Sequence, residues 1–213
     1  WDLRLAPPAG FPRTFGMQAI LRDTPSSPLG PVVLPGDYQV RLTVDGKVLS
    51  QPLTIRMDPR VKTSAADLAK MNSLSFRCYQ GIGKIRAGQQ EIRSLRDQLA
   101  KLKKQTQDAQ LVAAIDALDS KVGGLEGRSA GLDAFGGSSR EPGLAGLATN
   151  FLSVMNVSEE ADLAPTSQAL AAGEDLDKRL GEMLERLKLV REQDLGALNT
   201  KLRQAGLPVV EVK

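Results

Sequence analysis

Two kinds of hydrophobic periodicity divide the chain. From Asp37 to Val44, Tyr38, Val40, Leu42 and Val44 alternate with Gln39, Arg41 and Thr43. That period of two predicts a strand with one face buried and one face wet. Asp45-Gly46 follows at once, and Lys47 to Met57 resumes an extended pattern. An Asp-Gly pair between two such runs predicts a type I′ hairpin, because both central residues need positive φ. Leu34-Pro35-Gly36 is a turn into the first strand. Trp1–Leu5 and Phe15–Leu21 are further strand candidates. Eight prolines between Pro7 and Pro52 exclude long helices here, since each removes a backbone donor and clashes with the preceding turn. Four strands in so short a stretch predict a small antiparallel β-sandwich over residues 1–60, incomplete if some of its strands lie upstream.

From Thr63 onward the period becomes helical. Ser64 followed by Asp67 reads as an N-cap with an acid in the capping-box position. Met71, Cys78, Ile85, Ile92 and Leu99 fall seven apart, and Leu74, Gly81, Gly88, Leu95 and Leu102 fall three further on, making a heptad seam. Glycine costs about 1 kcal/mol against alanine inside a helix, so Gly81 and Gly88 on that seam predict a helix approaching closely there. A second helix is predicted from Asp108 to about Leu125 and a third from about Gly143 to Met155. A last helix opens at Pro165-Thr166, carries its stripe through Leu176, Leu187 and Leu202, and closes at Gly206 and Pro208. The segment Glu126–Pro142, rich in glycine, serine and charge, reads as a long loop. Residues 61–213 are thus expected to form an up-and-down antiparallel bundle of three to four helices, two of them long, with the first and last antiparallel. The fold class is α+β in two parts.

Composition narrows the chemistry. Histidine is absent and Cys78 is the only cysteine. This excludes Ser-His-Asp triads, Cys-His dyads, histidine-containing zinc sites and internal disulfides within the chain. The net charge is +3, without runs of like charge or a basic stripe carrying aromatics, which argues against nucleic acid as a partner. No stretch approaches the ~20 apolar residues of a membrane span. The chain opens at Trp1 rather than Met, without a basic start and an apolar run, and reads as a processed chain or a fragment.

Three groups of side chains remain as candidates for chemistry. Asp37, Asp45 and Asp58 could coordinate calcium, but no D-x-D-x-D-G loop surrounds them, and turn and strand-exit roles explain them. Glu159, Glu160 and Asp162 could supply paired carboxylates, yet read as solvated charge before the last helix. Cys78 sits on the apolar seam and reads as inert packing. S-x-x-K does not occur. No catalytic, cofactor-binding or metal-ligating residue is therefore assigned.

The stretch Val33-Leu34-Pro35-Gly36-Asp37-Tyr38-Gln39-Val40-Arg41-Leu42-Thr43-Val44-Asp45-Gly46-Lys47, with Leu53 to Arg60, resembles the C-terminal region of bacterial secreted BNR (Asp-box), sortilin-like β-propeller proteins, often labelled glycosyl hydrolases. Trp1-Asp2-Leu3-Arg4 is similar to the strand that begins an immunoglobulin-like module there, itself similar to that of flagellar hook-capping proteins. Ala164-Pro165-Thr166 and Leu195 to Leu202 resemble the helical tail of the same family. The resemblance implies an immunoglobulin-like sandwich, a secreted, periplasmic or cell-surface location, and an upstream propeller. No catalytic residue of that family maps onto this sequence. The expected function is a non-catalytic accessory module for docking, spacing or assembly, its partner another protein or the parent's own propeller. Two alternatives are a loop, Glu126–Pro142, lent to a glycosidase-like active site, and oligomerisation through the Met71–Leu102 seam.

Overall fold

The computed structural model describes residues 1–15, 20, 24–127 and 143–212. Two strands, β1 (Gly36–Val44) and β2 (Lys47–Ile55), are followed by helices α1 (Ala65–Lys103), α2 (Ala109–Glu126), α3 (Leu144–Ser158), α4 (Ser167–Leu189) and α5 (Leu195–Gln204). A π-helical turn, Val190–Asp194, joins α4 to α5.

Local chemistry sets the helix ends. Ser64 Oγ accepts from the Asp67 N–H at 3.1 Å and donates to Asp67 Oδ2 at 2.8 Å, closing the first turn of α1. Asp108 accepts from the N–H groups of Gln110 and Leu111 at the head of α2. Thr166 does the same for Ala169 in α4, so that helix begins at Ser167, and Pro165 lies before the cap. Gly206, at φ +68°, closes α5: Leu207 N–H bonds to Leu202 C=O at 2.9 Å and Gly206 N–H to Arg203 C=O at 3.1 Å. This is a Schellman motif, for which glycine supplies the left-handed residue.

α1 has 39 residues and is about 58 Å long at 1.5 Å per residue. All ten seam positions from Met71 to Leu102 are buried, joined by Leu68, Ser75 and Ile82. The two seam glycines receive α3. A Cβ on Gly81 would lie 2.9 Å from the Phe151 ring, and one on Gly88 would lie 3.2 Å from Leu144 Cδ1.

The helix directions differ from expectation in one respect. Arg77 pairs with Asp177, Gly88 faces Leu184 and Leu187, and Glu91 pairs with Arg191, so α1 and α4 run parallel. Against α3 the order reverses, with Ser75 at Glu159 and Gly88 at Leu144. It reverses against α2 as well, where Lys103 pairs with Asp116 and Arg96 with Glu126. The bundle is therefore up-down-up. α2 and α3 are too short to span α1 singly and occupy successive lengths of one returning lane. The first and last helices then run the same way, not antiparallel.

The β region is smaller than the predicted sandwich. Its sheet has two strands, with Val44 opposite Lys47 and Gly36 opposite Ile55. Asp45 at φ +49° and Gly46 at φ +77° form the type I′ turn. Trp1–Leu5 makes only the bridge Arg4↔Val32, with Leu5 N–H on Pro31 C=O and Val33 N–H on Leu3 C=O. Leu3 at φ +59° interrupts any longer strand, and Pro31 has no N–H for a ladder. Phe15–Leu21 lies mostly outside the described residues; before it, Thr14 bridges Ser27.

Candidate interaction surface

Residues directly opposite in an antiparallel pair project to the same face. The register sets Tyr38 against Leu53, Val40 against Gln51, Leu42 against Leu49 and Val44 against Lys47. One face of the hairpin thus gathers Tyr38, Val40, Leu42, Val44, Leu49, Leu53 and Ile55, with Lys47 and Gln51 among them, while the other carries Asp37, Gln39, Arg41, Thr43, Ser50 and Thr54, with Val48 and Pro52. The alternation matches the sequence, but the burial does not. Val40, Leu42, Val44 and Leu49 are 51%, 56%, 51% and 63% exposed. Together they leave on the order of 400 Å² of apolar surface open, the size of the largest patch on an ordinary monomer, which is often functional. Trp1 extends the patch: its ring meets Tyr38 edge-on at 6.1 Å, its Nε1 donates to Arg4 C=O at 2.8 Å, and it is 69% exposed. A two-stranded hairpin is marginal alone in water, and both of its strands are edges with unpaired backbone groups.

The candidate acids do not converge. Asp37 accepts from Thr54 Oγ1 at 2.7 Å, Asp45 forms the turn, and Asp58 is paired with Arg60 at 2.6 Å. Arg60 holds the Asp58 carboxyl below its ordinary range. Among the described residues no three His, Cys, Asp or Glu side chains gather as a metal site would require.

The second acidic group divides. Glu160 and Asp162 are exposed, but the Glu159 side chain is only 5% exposed and fully engaged. It accepts from the Val32 N–H at 3.0 Å, from Ser75 Oγ and from the Arg4 guanidinium, which also donates to Gly30 C=O at 2.8 Å. Asn72 Nδ2 adds a bond to Val32 C=O at 2.7 Å. Glu159 is therefore not the solvated charge that its acidic neighbours suggest but the clamp that fixes the N-terminal segment to α1. The signal available was Ser75, a hydroxyl seven residues after Leu68 and seven before Ile82, on a stripe otherwise apolar.

Cys78 is buried, and burial pushes its thiol up to about 11. A thiol so placed is neutral and unreactive at neutral pH. Of the Glu126–Pro142 segment, Glu126 accepts from Arg93 and Arg96, and residues 128–142 lie outside the described residues. No helix is long and apolar enough to cross a membrane among the described residues. Comparison of the chain with protein-family models, curated proteins and solved structures finds no match in any of the three.

Proposed function

We propose that this chain is a non-catalytic accessory module of an exported β-propeller protein, docking through the apolar face of the β1–β2 hairpin onto strands supplied by the propeller or by a protein partner. The observation that carries the reading is the uncovered row Val40, Leu42, Val44 and Leu49. The helical stripes find partners within the chain, whereas among the described residues Val40, Leu42, Val44 and Leu49 stay more than half exposed. On this reading the hairpin is part of an immunoglobulin-like sandwich whose remaining strands come from elsewhere, in keeping with the family resemblance of residues 33–60. The resemblance also supports a secreted, periplasmic or cell-surface setting. The coiled-coil alternative is less favoured, since the Met71–Leu102 seam is buried against α2, α3 and α4.

The test is the pair of substitutions Leu42→Glu and Leu49→Glu. Binding of the chain to a propeller-bearing polypeptide is measured by calorimetry, with helix content and melting temperature followed by circular dichroism. The expected result is lost binding with an unchanged melt. Undiminished binding, or a melt lowered as for a core lesion, would overturn the reading.

A further inference from the structure

The hairpin stands apart from the helices yet is tied to them at both ends. Among the described residues neither strand packs on the helical core. The first root is Val32, just before β1. Its N–H donates to Glu159 Oε1 at 3.0 Å, and its C=O accepts from Asn72 Nδ2 at 2.7 Å. Only residues 33–35 lie between, where Leu34 C=O accepts from Tyr38 Oη at 2.7 Å and the Pro35 ring fixes φ. The second root is Thr63, whose Oγ1 donates to Asp162 C=O, and Ser64 then caps α1. Between β2 and Thr63 a β-turn stiffens the chain. Val61 N–H reaches Asp58 C=O at 3.0 Å, Asp58 Oδ1 accepts from Arg60 N–H at 2.9 Å, and Pro59 takes the second position, which proline favours.

Both roots thus rest on one short piece of chain, the connection between α3 and α4, through Glu159 and Asp162. Two fixed points leave one freedom, rotation about the line that joins them. A third contact removes it. Glu159 holds the Arg4 guanidinium, Arg4 C=O accepts from Trp1 Nε1 at 2.8 Å, and the Trp1 ring meets Tyr38 edge-on at 6.1 Å. Each strand has 9 residues. At about 3.4 Å per residue the Asp45-Gly46 turn lies about 30 Å beyond the roots, so a swing of only about 20° would carry it about 10 Å.

We propose that the hairpin is a rigidly aimed arm whose direction is set by the connection between α3 and α4, with Glu159, Thr63 and Trp1 as its positioning residues. An arm fixed beforehand spares a partner the cost of ordering it on docking. That use rests on the docking reading above. The aim itself does not, and it is measured without a partner.

The experiment attaches spin labels to the full chain at Lys47→Cys, beside the hairpin turn, and at Lys178→Cys on α4, both exposed positions, and measures their separation by double electron–electron resonance. Cys78 is buried and stays unlabelled. The otherwise native chain should give one narrow distribution of distances. Thr63→Val, which removes one hydroxyl, and Trp1→Ala should each broaden it. Glu159→Ala should spread it over about 10 Å or more, with helix content by circular dichroism unchanged. Should Glu159→Ala lose helix, Thr63→Val and Trp1→Ala, neither of them a change in the helical core, decide. The proposal is overturned by a broad distribution in the otherwise native chain, or by the native width in either of those two variants. A narrow distribution that broadens as expected, in a chain that binds no propeller-bearing polypeptide, upholds the aim and sinks the docking reading alone.

Discussion

Replacing Glu159 with alanine removes the one carboxylate that serves three donors from two separate parts of the chain: Arg4 and Val32 of the N-terminal segment, and Ser75 of α1. Breaking a buried ion pair from one side costs about 3–5 kcal/mol, and hydrogen bonds to a charged group contribute about 1.5–3 kcal/mol each. Arg4 is 21% exposed and keeps Gly30 C=O, so it can partly rehydrate. The lower end, about 3 kcal/mol, is therefore expected. Glu159→Gln retains an acceptor oxygen and should lose about half of that. The loss is capped at the free energy with which the segment docks, because beyond that point the segment comes away and the bundle persists. Trp1 is the only tryptophan and sits in this segment, so its fluorescence follows docking, while far-ultraviolet circular dichroism follows the helices. In urea the native chain should give coincident transitions. Glu159→Ala should give a fluorescence change at lower urea than the helical one, with faster amide exchange at Leu5, Val32 and Val33. Coincident transitions with an unmoved midpoint would refute the clamp.

Two further predictions test packing and protonation. Gly81→Ala places a methyl against the Phe151 ring, and overpacking of about 1–3 kcal/mol outweighs or cancels the ~1 kcal/mol gain in helix propensity. Gly83→Ala meets nothing within 4 Å and should stabilise by up to about 1 kcal/mol; chemical denaturation of the two variants checks the difference in sign. Because burial raises the Cys78 thiol from 9.0 to about 11, its contribution is fully present below pH 9 and fades as pH climbs through about 11. The change is at most about 3 kcal/mol. Stability of the native chain measured against Cys78→Ala between pH 8 and 11 should converge on this account, and a constant difference would contradict it.

Much of the helical part was legible in the sequence because each signal there is local or periodic. The Ser64 cap, the heptad from Met71 to Leu102 and the Gly206 stop each need only a few neighbouring residues to be read. Helix direction was not legible, since stripes do not say whether α2 and α3 lie side by side or end to end on α1. The hairpin register followed from Asp45-Gly46, but burial did not follow from alternation: a period of two says which residues share a face, not that anything covers it. The role of Glu159 is hidden for a similar reason. A carboxylate among other acids reads as solvated, and its partners Arg4 and Val32 are more than a hundred residues away. The Asn199 and Gln98 side-chain amides, which bond the main chain of Val210 and Glu211, carry no motif, because recognition of a main chain leaves no residue pattern to see.

The π turn has a consequence for how this fold tolerates changes in length. The buried positions of the last helix step by three and four through Leu176, Leu180, Met183, Leu187 and Val190, then by five to Leu195, before Leu198 and Leu202 resume. One surplus residue on a regular helix would rotate everything after it by about 100° and turn Leu195, Leu198 and Leu202 toward water. Widening a single turn, with Leu195 N–H reaching back to Val190 C=O, absorbs the surplus where it arises. This short stretch acts as a phase corrector: a one-residue deletion between Arg191 and Asp194 would leave an unbroken helix with both leucine sets still in phase, whereas the same deletion a turn to either side would put them out of step.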